Sequence, residues 1–172
     1  GKIVATDMSP VAPALFMADE TYLVPRIDDP SYYEHVLDIC EKSKVKAITT
    51  LIDPEIEILA KNREDLLSKG ILPLCPADWT ARLCYDKYEM FKYLHDKGVR
   101  TILTYNSLEG FKNGLEKGEI SFPVFMKPIN GSGSVGIGKV NSWEEAEAKF
   151  KDGKFTYIIQ ELMTGGDCDA DV

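Results

Sequence analysis

Histidine and cysteine are scarce in this chain of 172 residues: His35 and His95, and Cys40, Cys75, Cys84 and Cys168. No C-x-x-C pair occurs and the histidines stand apart from the cysteines, so the spacing offers neither a zinc site nor a disulfide framework. The thiols read as reduced, in a cytoplasmic protein. No Ser/His/Asp or Cys/His constellation for nucleophilic catalysis is present. Long apolar runs are also missing: Val11–Met17 and Ile71–Cys75 fall far short of the ~18–20 residues that cross a bilayer, and no basic stretch leading into an apolar segment opens the chain. Positive charge is in deficit, with 20 Lys and Arg against 28 Asp and Glu for a net −8. That balance argues against nucleic acid or an anionic membrane as the main partner, since both require a basic face. A local basic pocket is still allowed. What is present, 44% hydrophobic and 28% charged residues, suits a globular core and excludes collagen-like, coiled-coil and strongly disordered chains.

Hydrophobic periodicity divides the chain into three parts. In residues 1–76, Lys2–Asp7 reads as a buried strand. Ser31-x-x-Glu34 has the capping-box pattern ahead of Tyr33, Val36, Leu37 and Cys40 at helical spacing. Ala47–Ile52 reads as a second strand, and Asp53-Pro54 as an N-cap with proline at the first helical position. Ile56, Leu59, Ala60 and Leu67 line the helix that follows, Lys69-Gly70 ends it, and Ile71–Cys75 is a third strand. Strand, helix, strand, helix, strand predicts a parallel α/β layer. Residues 77–118 read as a helical segment, with Asp78 and Asp86 as N-caps and Gly98 as a helix stop. A strand is predicted near Val99–Thr104 and a helix from Ser107. Residues 119–172 hold an extended apolar segment, Phe122–Pro128, then a glycine-rich loop and a strand at Ile137–Val140. A helix capped by Asn141 or Ser142 and a strand at Thr156–Gln160 complete this part. The opening strand would ordinarily follow an earlier strand and helix, and the chain stops at Asp171-Val172 in strand-like sequence. The expectation is a piece of a larger protein.

The loop Gly131-Ser132-Gly133-Ser134-Val135-Gly136 brings backbone N–H groups together without Cβ atoms, an arrangement suited to an anion. Three familiar motifs nearly match it. Gly131-x-Gly133-x-x-Gly136 has the letters of the dinucleotide fingerprint, but a strand follows where that motif opens a helix. Gly133-x-x-x-x-Gly138-Lys139 begins like a P-loop, yet Val140 replaces the magnesium-binding Ser or Thr. A kinase glycine loop precedes its phosphate lysine, whereas Lys127 comes before this loop, and no His-Arg-Asp or Asp-Phe-Gly string occurs. What remains is a hairpin loop over phosphates or, more blandly, a flexible Gly/Ser turn.

Three features weigh against the bland reading. Lys127 ends an apolar run, where an ammonium is costly without an anion. Lys87 stands in the first turn of a helix, opposing its dipole by ~0.3–1 kcal/mol, although such a lysine alone is more often a solvated charge. Finally, Tyr157–Met163 is a strand running into a connector with Asp167 beyond it, able to offer backbone groups to a base and a carboxylate to a ribose.

These features, in this order, resemble the ATP-grasp superfamily, and within it the short relatives of the carbamoyl-phosphate synthase large subunit. The resemblance implies an α/β fold: a Rossmann-like domain at 1–76, a connecting helical segment at 77–118 and an α+β nucleotide lid and hinge at 119–172, with the carboxy-terminal subdomain missing. It implies ATP contacts from Lys87 at the base of the lid, from Lys127, and from the loop residues Gly131, Ser132, Gly133, Ser134 and Gly136. The Glu161 carbonyl and Met163 N–H, flanking Leu162, would read adenine, and Asp167 would stand where the family usually has a ribose-binding Glu. The family's Mg2+ ligands lie in the missing subdomain, so no metal ligand is assigned. The implied activity, when full length, is ATP-dependent ligation of a carboxylate to an amine through an acyl-phosphate, with no catalytic nucleophile supplied by the protein. The fragment alone would bind ATP weakly and catalyse nothing. The implied partners are ATP and a small carboxylate or amine substrate, with a homodimer left open. Asp53 and Glu55, at the carboxyl end of a predicted strand, are candidates for an amine, against an N-cap role and a solvated helix face. A non-catalytic nucleotide-binding or regulatory module is the alternative from another class, and a dinucleotide-dependent oxidoreductase a third.

Overall fold

The computed structural model describes residues 1–131 and 133–165. It divides into two units, Gly1–Arg82 and Leu83–Val172.

In the first unit, β-branched and apolar residues form short parallel strands joined by crossovers. β1 (Val4–Asp7) pairs in parallel with β2 (Glu20–Leu23), in the register Val4↔Glu20 to Asp7↔Leu23. α1 (Tyr32–Lys42) leads to β3 (Ala47–Ile48), and α2 (Asp53–Lys61) and α3 (Arg63–Ser68) lead to β4 (Leu72–Pro73), which pairs in parallel with β3. The parallel α/β character is as expected, but the strands form two separate two-stranded ladders rather than one layer. β2 and the 3-10 turn at Pro13–Phe16 are additional to the sequence reading. The apolar side of α1 (Val36, Leu37, Ile39, Cys40) packs with Leu59, Leu66 and Ile71, and with Val4, Tyr22 and Ile48 from both ladders.

Ser31 precedes α1 without capping it, because its hydroxyl donates to Asp29 Oδ1 at 2.7 Å. The expected strand at Ala47–Ile52 is paired only at Ala47–Ile48. Asp53 is already helical, with Ile52 at the N-cap position. The single helix expected after it is broken at Asn62, whose amide donates back to the Ile58 carbonyl at 2.9 Å, a local bond that competes with continued helix. Gly70 follows α3 at φ +73°, the left-handed stop that Lys69-Gly70 predicted.

α4 (Asp78–Tyr85) spans the boundary between the units. In the second unit, α5 (Lys87–Asp96) starts where Asp86 accepts hydrogen bonds from the N–H groups of Tyr88 and Glu89, both at 2.9 Å. This carboxylate offsets the unfavourable placement of Lys87 in the first turn, so that placement is not in itself a sign of bound phosphate. Asp86→Ala is expected to lower stability by about 1 kcal/mol, measured by denaturant unfolding. β5 (Thr104–Tyr105) is shorter than the expected strand and lies at its end. α6 (Leu108–Glu116) is capped by Ser107, whose Oγ accepts from Gly110 N–H at 3.1 Å. β6 (Val124–Pro128), β7 (Gly138–Val140), α7 (Trp143–Lys151) and β8 (Tyr157–Glu161) follow. Of the two caps considered for α7, Ser142 is the one used, accepting from Glu145 N–H. The strands form an antiparallel sheet in the order β5-β8-β6-β7.

Alternation along β6 gives this sheet two chemically different faces. Val124 and Met126 face a core completed by Phe111 of α6, Ala146 of α7, Val140, Tyr157 and Ile159. Phe125 and Lys127 face the other way, opposite Gln160 and Ile158 of β8 in the register Phe125↔Gln160 and Lys127↔Ile158.

Candidate functional site

The face of β6 that carries Phe125 and Lys127 continues into a hairpin loop that returns as β7, and a cleft of about 330 Å3 opens between them. Its lining includes Lys87, Phe125, Lys127, Asn130, Gly131, Ser134 and Phe155. The loop enters a strand and not a helix, the context that distinguishes it from the dinucleotide fingerprint.

Lys127 is half-buried and, among the described residues, its ammonium forms no hydrogen bond or ion pair. Burial, and then repulsion from the Lys87 ammonium, pull its pKa below the ordinary 10.5. A chain of net charge −8 thus directs two cations into one recess, a placement that an anion would favour.

The pH consequence is specific. Between the lowered folded value and 10.5, the unfolded chain holds the Lys127 proton more often than the folded one, so stability rises with pH in that window. Below the window both states are protonated, and the cost of the buried charge is fully present. Lys127→Met is therefore expected to be at least as stable as the ligand-free wild type at neutral pH, with its advantage shrinking as pH rises toward 10.5. Unfolding curves of the two proteins over that range measure this.

Lys87 is engaged with the loop. Its backbone N–H donates to the Ile129 carbonyl at 3.0 Å, and its ammonium donates to the carbonyls of Gly131 at 2.8 Å and Ile129 at 3.4 Å. Within the loop Gly131, Gly133 and Gly136 take φ of +94°, +70° and +76°, and Ser134 takes +59°. Gly136 has a second constraint: a Cβ there would lie 2.8 Å from the Phe155 ring and 3.1 Å from Pro128 Cγ. Any side chain would push the loop off the hairpin.

The structure thus brings Lys87, Lys127, Gly131 and Ser134 to one cleft, with Gly133 and Gly136 in the loop that borders it. Glu161, Leu162 and Met163 stand elsewhere in the same unit. Glu161 ends β8 opposite Val124, three residues from Ile158, the partner of Lys127, which is about 10 Å along the strand. The Glu161 N–H donates to the Leu103 carbonyl and its carboxylate accepts from the Leu103 N–H, each at 3.3 Å. Leu162 is half-buried and Met163 is exposed. Ser132 and Asp167 lie outside the described residues.

Phe125, Asn130 and Phe155 were not singled out in the sequence. Phe125 was accessible from strand alternation with Lys127, whereas Phe155 sits far along the chain and has no local signal. In the first unit, the Glu55 carboxylate accepts from the hydroxyls of Tyr32 and Thr50, and Asp53 lies in the first turn of α2. Burial, with Glu55 beside it, pushes the Tyr32 phenol well above its ordinary pKa. Both Glu55 oxygens therefore have partners within the unit. Among the described residues, the cleft lining carries no carboxylate and no group of three His, Cys, Asp or Glu could hold a metal. These residues do not fit a magnesium site of their own. Among the described residues, no helix is long and apolar enough to cross a membrane.

The fold has counterparts among known proteins. Residues 1–74 match the family model described as PylC-like, N-terminal domain. The biotin carboxylase domain dimer of Hydrogenobacter thermophilus 2-oxoglutarate carboxylase, in complex with MgADP, ADP and bicarbonate, aligns at a TM-score of 0.70 and 21% identity, over 94% of this chain and 38% of that one. Staphylococcus aureus N5-carboxyaminoimidazole synthetase complexed with ADP aligns at a TM-score of 0.69 and 18% identity, over 94% of this chain and 41% of that one. At such identities the likeness shows the fold. In sequence, the D-alanine--D-alanine ligase of Corynebacterium jeikeium (strain K411) is 37% identical over 62 residues, 33% of this chain and 16% of that ligase. The chain thus spans well under half the length of each of these relatives.

Proposed function

We propose that this chain is the amino-terminal part of an ATP-dependent carboxylate–amine ligase that works through an acyl-phosphate. The observation that carries the reading is the half-buried ammonium of Lys127, facing a cleft shared with Lys87 and a glycine-rich hairpin. The domain assignment 1–76, 77–118 and 119–172 and the carbamoyl-phosphate synthase-like character are part of the proposal. Nucleotide complexes of proteins with this fold and the sequence likeness to a ligase support it.

In this reading Lys127 and Lys87 neutralise the triphosphate, and N–H groups of the loop Gly131–Gly136 cradle it. The Glu161 carbonyl and the Met163 N–H read adenine beside Leu162, and Asp167 holds the ribose. Magnesium, when bound through residues outside those described, would supply further charge neutralisation. A carboxylate oxygen attacks the γ-phosphorus, the bond to the ADP oxygen breaks, and an acyl-phosphate forms. The amine then attacks the acyl carbon and expels phosphate, losing a proton as the amide forms. Positioning and charge compensation are the protein's whole task, so no nucleophilic side chain is needed.

The test is phosphate release by the intact polypeptide with Mg-ATP and a panel of amino acids and small carboxylates. Release that depends on one carboxylate and one amine is expected. ATP binding without turnover on any pair would favour the regulatory module, and stabilisation by NAD but not ATP would favour the oxidoreductase.

A further inference from the structure

The loop is tied to the α4–α5 junction by two side chains that behave differently toward an incoming anion. Lys87 donates its ammonium to Gly131 O at 2.8 Å and to Ile129 O, but a phosphate oxygen is a stronger acceptor than a carbonyl for the same ammonium. Asn130 also lines the cleft, and its Nδ2 donates to the carbonyl of Tyr85 at 3.3 Å, at the end of α4 and one residue before the Asp86 cap. A carbonyl can only accept, so the amide must present its NH2 here. This bond joins two uncharged groups.

From this we infer that Asn130 is a positioning residue for polyphosphate: it keeps the base of the glycine-rich loop on the helix junction when Lys87 transfers from loop carbonyls to phosphate. The inference rests on the proposed nucleotide site and deepens it. Without the Asn130 tether, a polyphosphate that recruits Lys87 would leave the loop entrance on the backbone bond from Lys87 N–H to the Ile129 carbonyl, and part of its binding would go into re-ordering four residues with left-handed backbones, Gly131, Gly133, Ser134 and Gly136. A ligand with no phosphate leaves Lys87 on its carbonyls and never calls on the tether.

The experiment is calorimetric titration of the intact polypeptide, wild type and Asn130→Ala, with ATP and with adenosine, alongside thermal unfolding of both. Asn130→Ala is expected to bind ATP about fivefold more weakly, the order of one net hydrogen bond, with adenosine affinity unchanged and a melting temperature close to wild type. In steady state the same variant should raise KM for ATP while leaving kcat at saturating ATP near wild type. Equal losses for ATP and adenosine would mean a general structural role and overturn the inference, as would an ATP affinity matching wild type. Wild type failing to bind ATP at all would overturn the proposed function, and this inference with it.

Discussion

Lys127→Ala should weaken ATP binding by about 10- to 150-fold, the ~1.5–3 kcal/mol carried by a hydrogen bond to a charged group. Alternation along Val124–Pro128 sends Val124 and Met126 into the core and leaves Lys127 on the cleft face. Its ammonium is partly desolvated and sits against a second cation, so the ligand-free protein holds charge there at a cost that a triphosphate would turn into attraction. Because that ammonium bonds to none of the described residues, its removal should leave the melting temperature of the ligand-free protein unchanged or slightly raised. Calorimetry and thermal unfolding on the intact polypeptide read the two effects separately. Undiminished affinity would detach Lys127 from the site.

The largest effect on stability is expected at Phe111. Its side chain is fully buried in α6, stacked on Trp143 at 6.0 Å with the rings 6° from parallel, and it meets the edge of Phe122 at 5.5 Å. It joins α6 and α7 to the face of the sheet opposite Lys127. Phe111→Ala removes these contacts and leaves a cavity that the surrounding strands can close only in part, at a cost of about 3–5 kcal/mol. A loss that large should appear in denaturant unfolding as a marked drop in midpoint. A change under 1 kcal/mol would mean that the second unit is not organised around this ring.

Much of this arrangement was legible where a local rule acts alone. The Asp86 cap, the start of a helix at Ser107 and the glycine stops at Gly70 and Gly98 follow from bonds within four residues of chain, and all four are formed. The hairpin context of the glycine loop was equally visible, since Gly138-Lys139-Val140 has no helical period. What was not legible depends on distant partners. Ser31 lost its expected capping role to Asp29, and only two residues of the 47–52 run find a parallel partner, in Leu72 and Pro73. The cleft itself was half visible. Lys127 stood out as a charge at the end of an apolar strand, but the carbonyls that occupy Lys87, and the Phe155 ring that forbids a side chain at Gly136, come from 19 to 44 residues away.

In the proposed site two lysines meet a polyphosphate in one recess. A crystal structure of the intact polypeptide with a non-hydrolysable ATP analogue tests this most directly. The expected result has phosphate oxygens within hydrogen-bond distance of Lys127 Nζ, with Lys87 Nζ moved from the Gly131 carbonyl onto phosphate. An analogue bound away from both ammonium groups, with Lys87 still on Gly131, would contradict it.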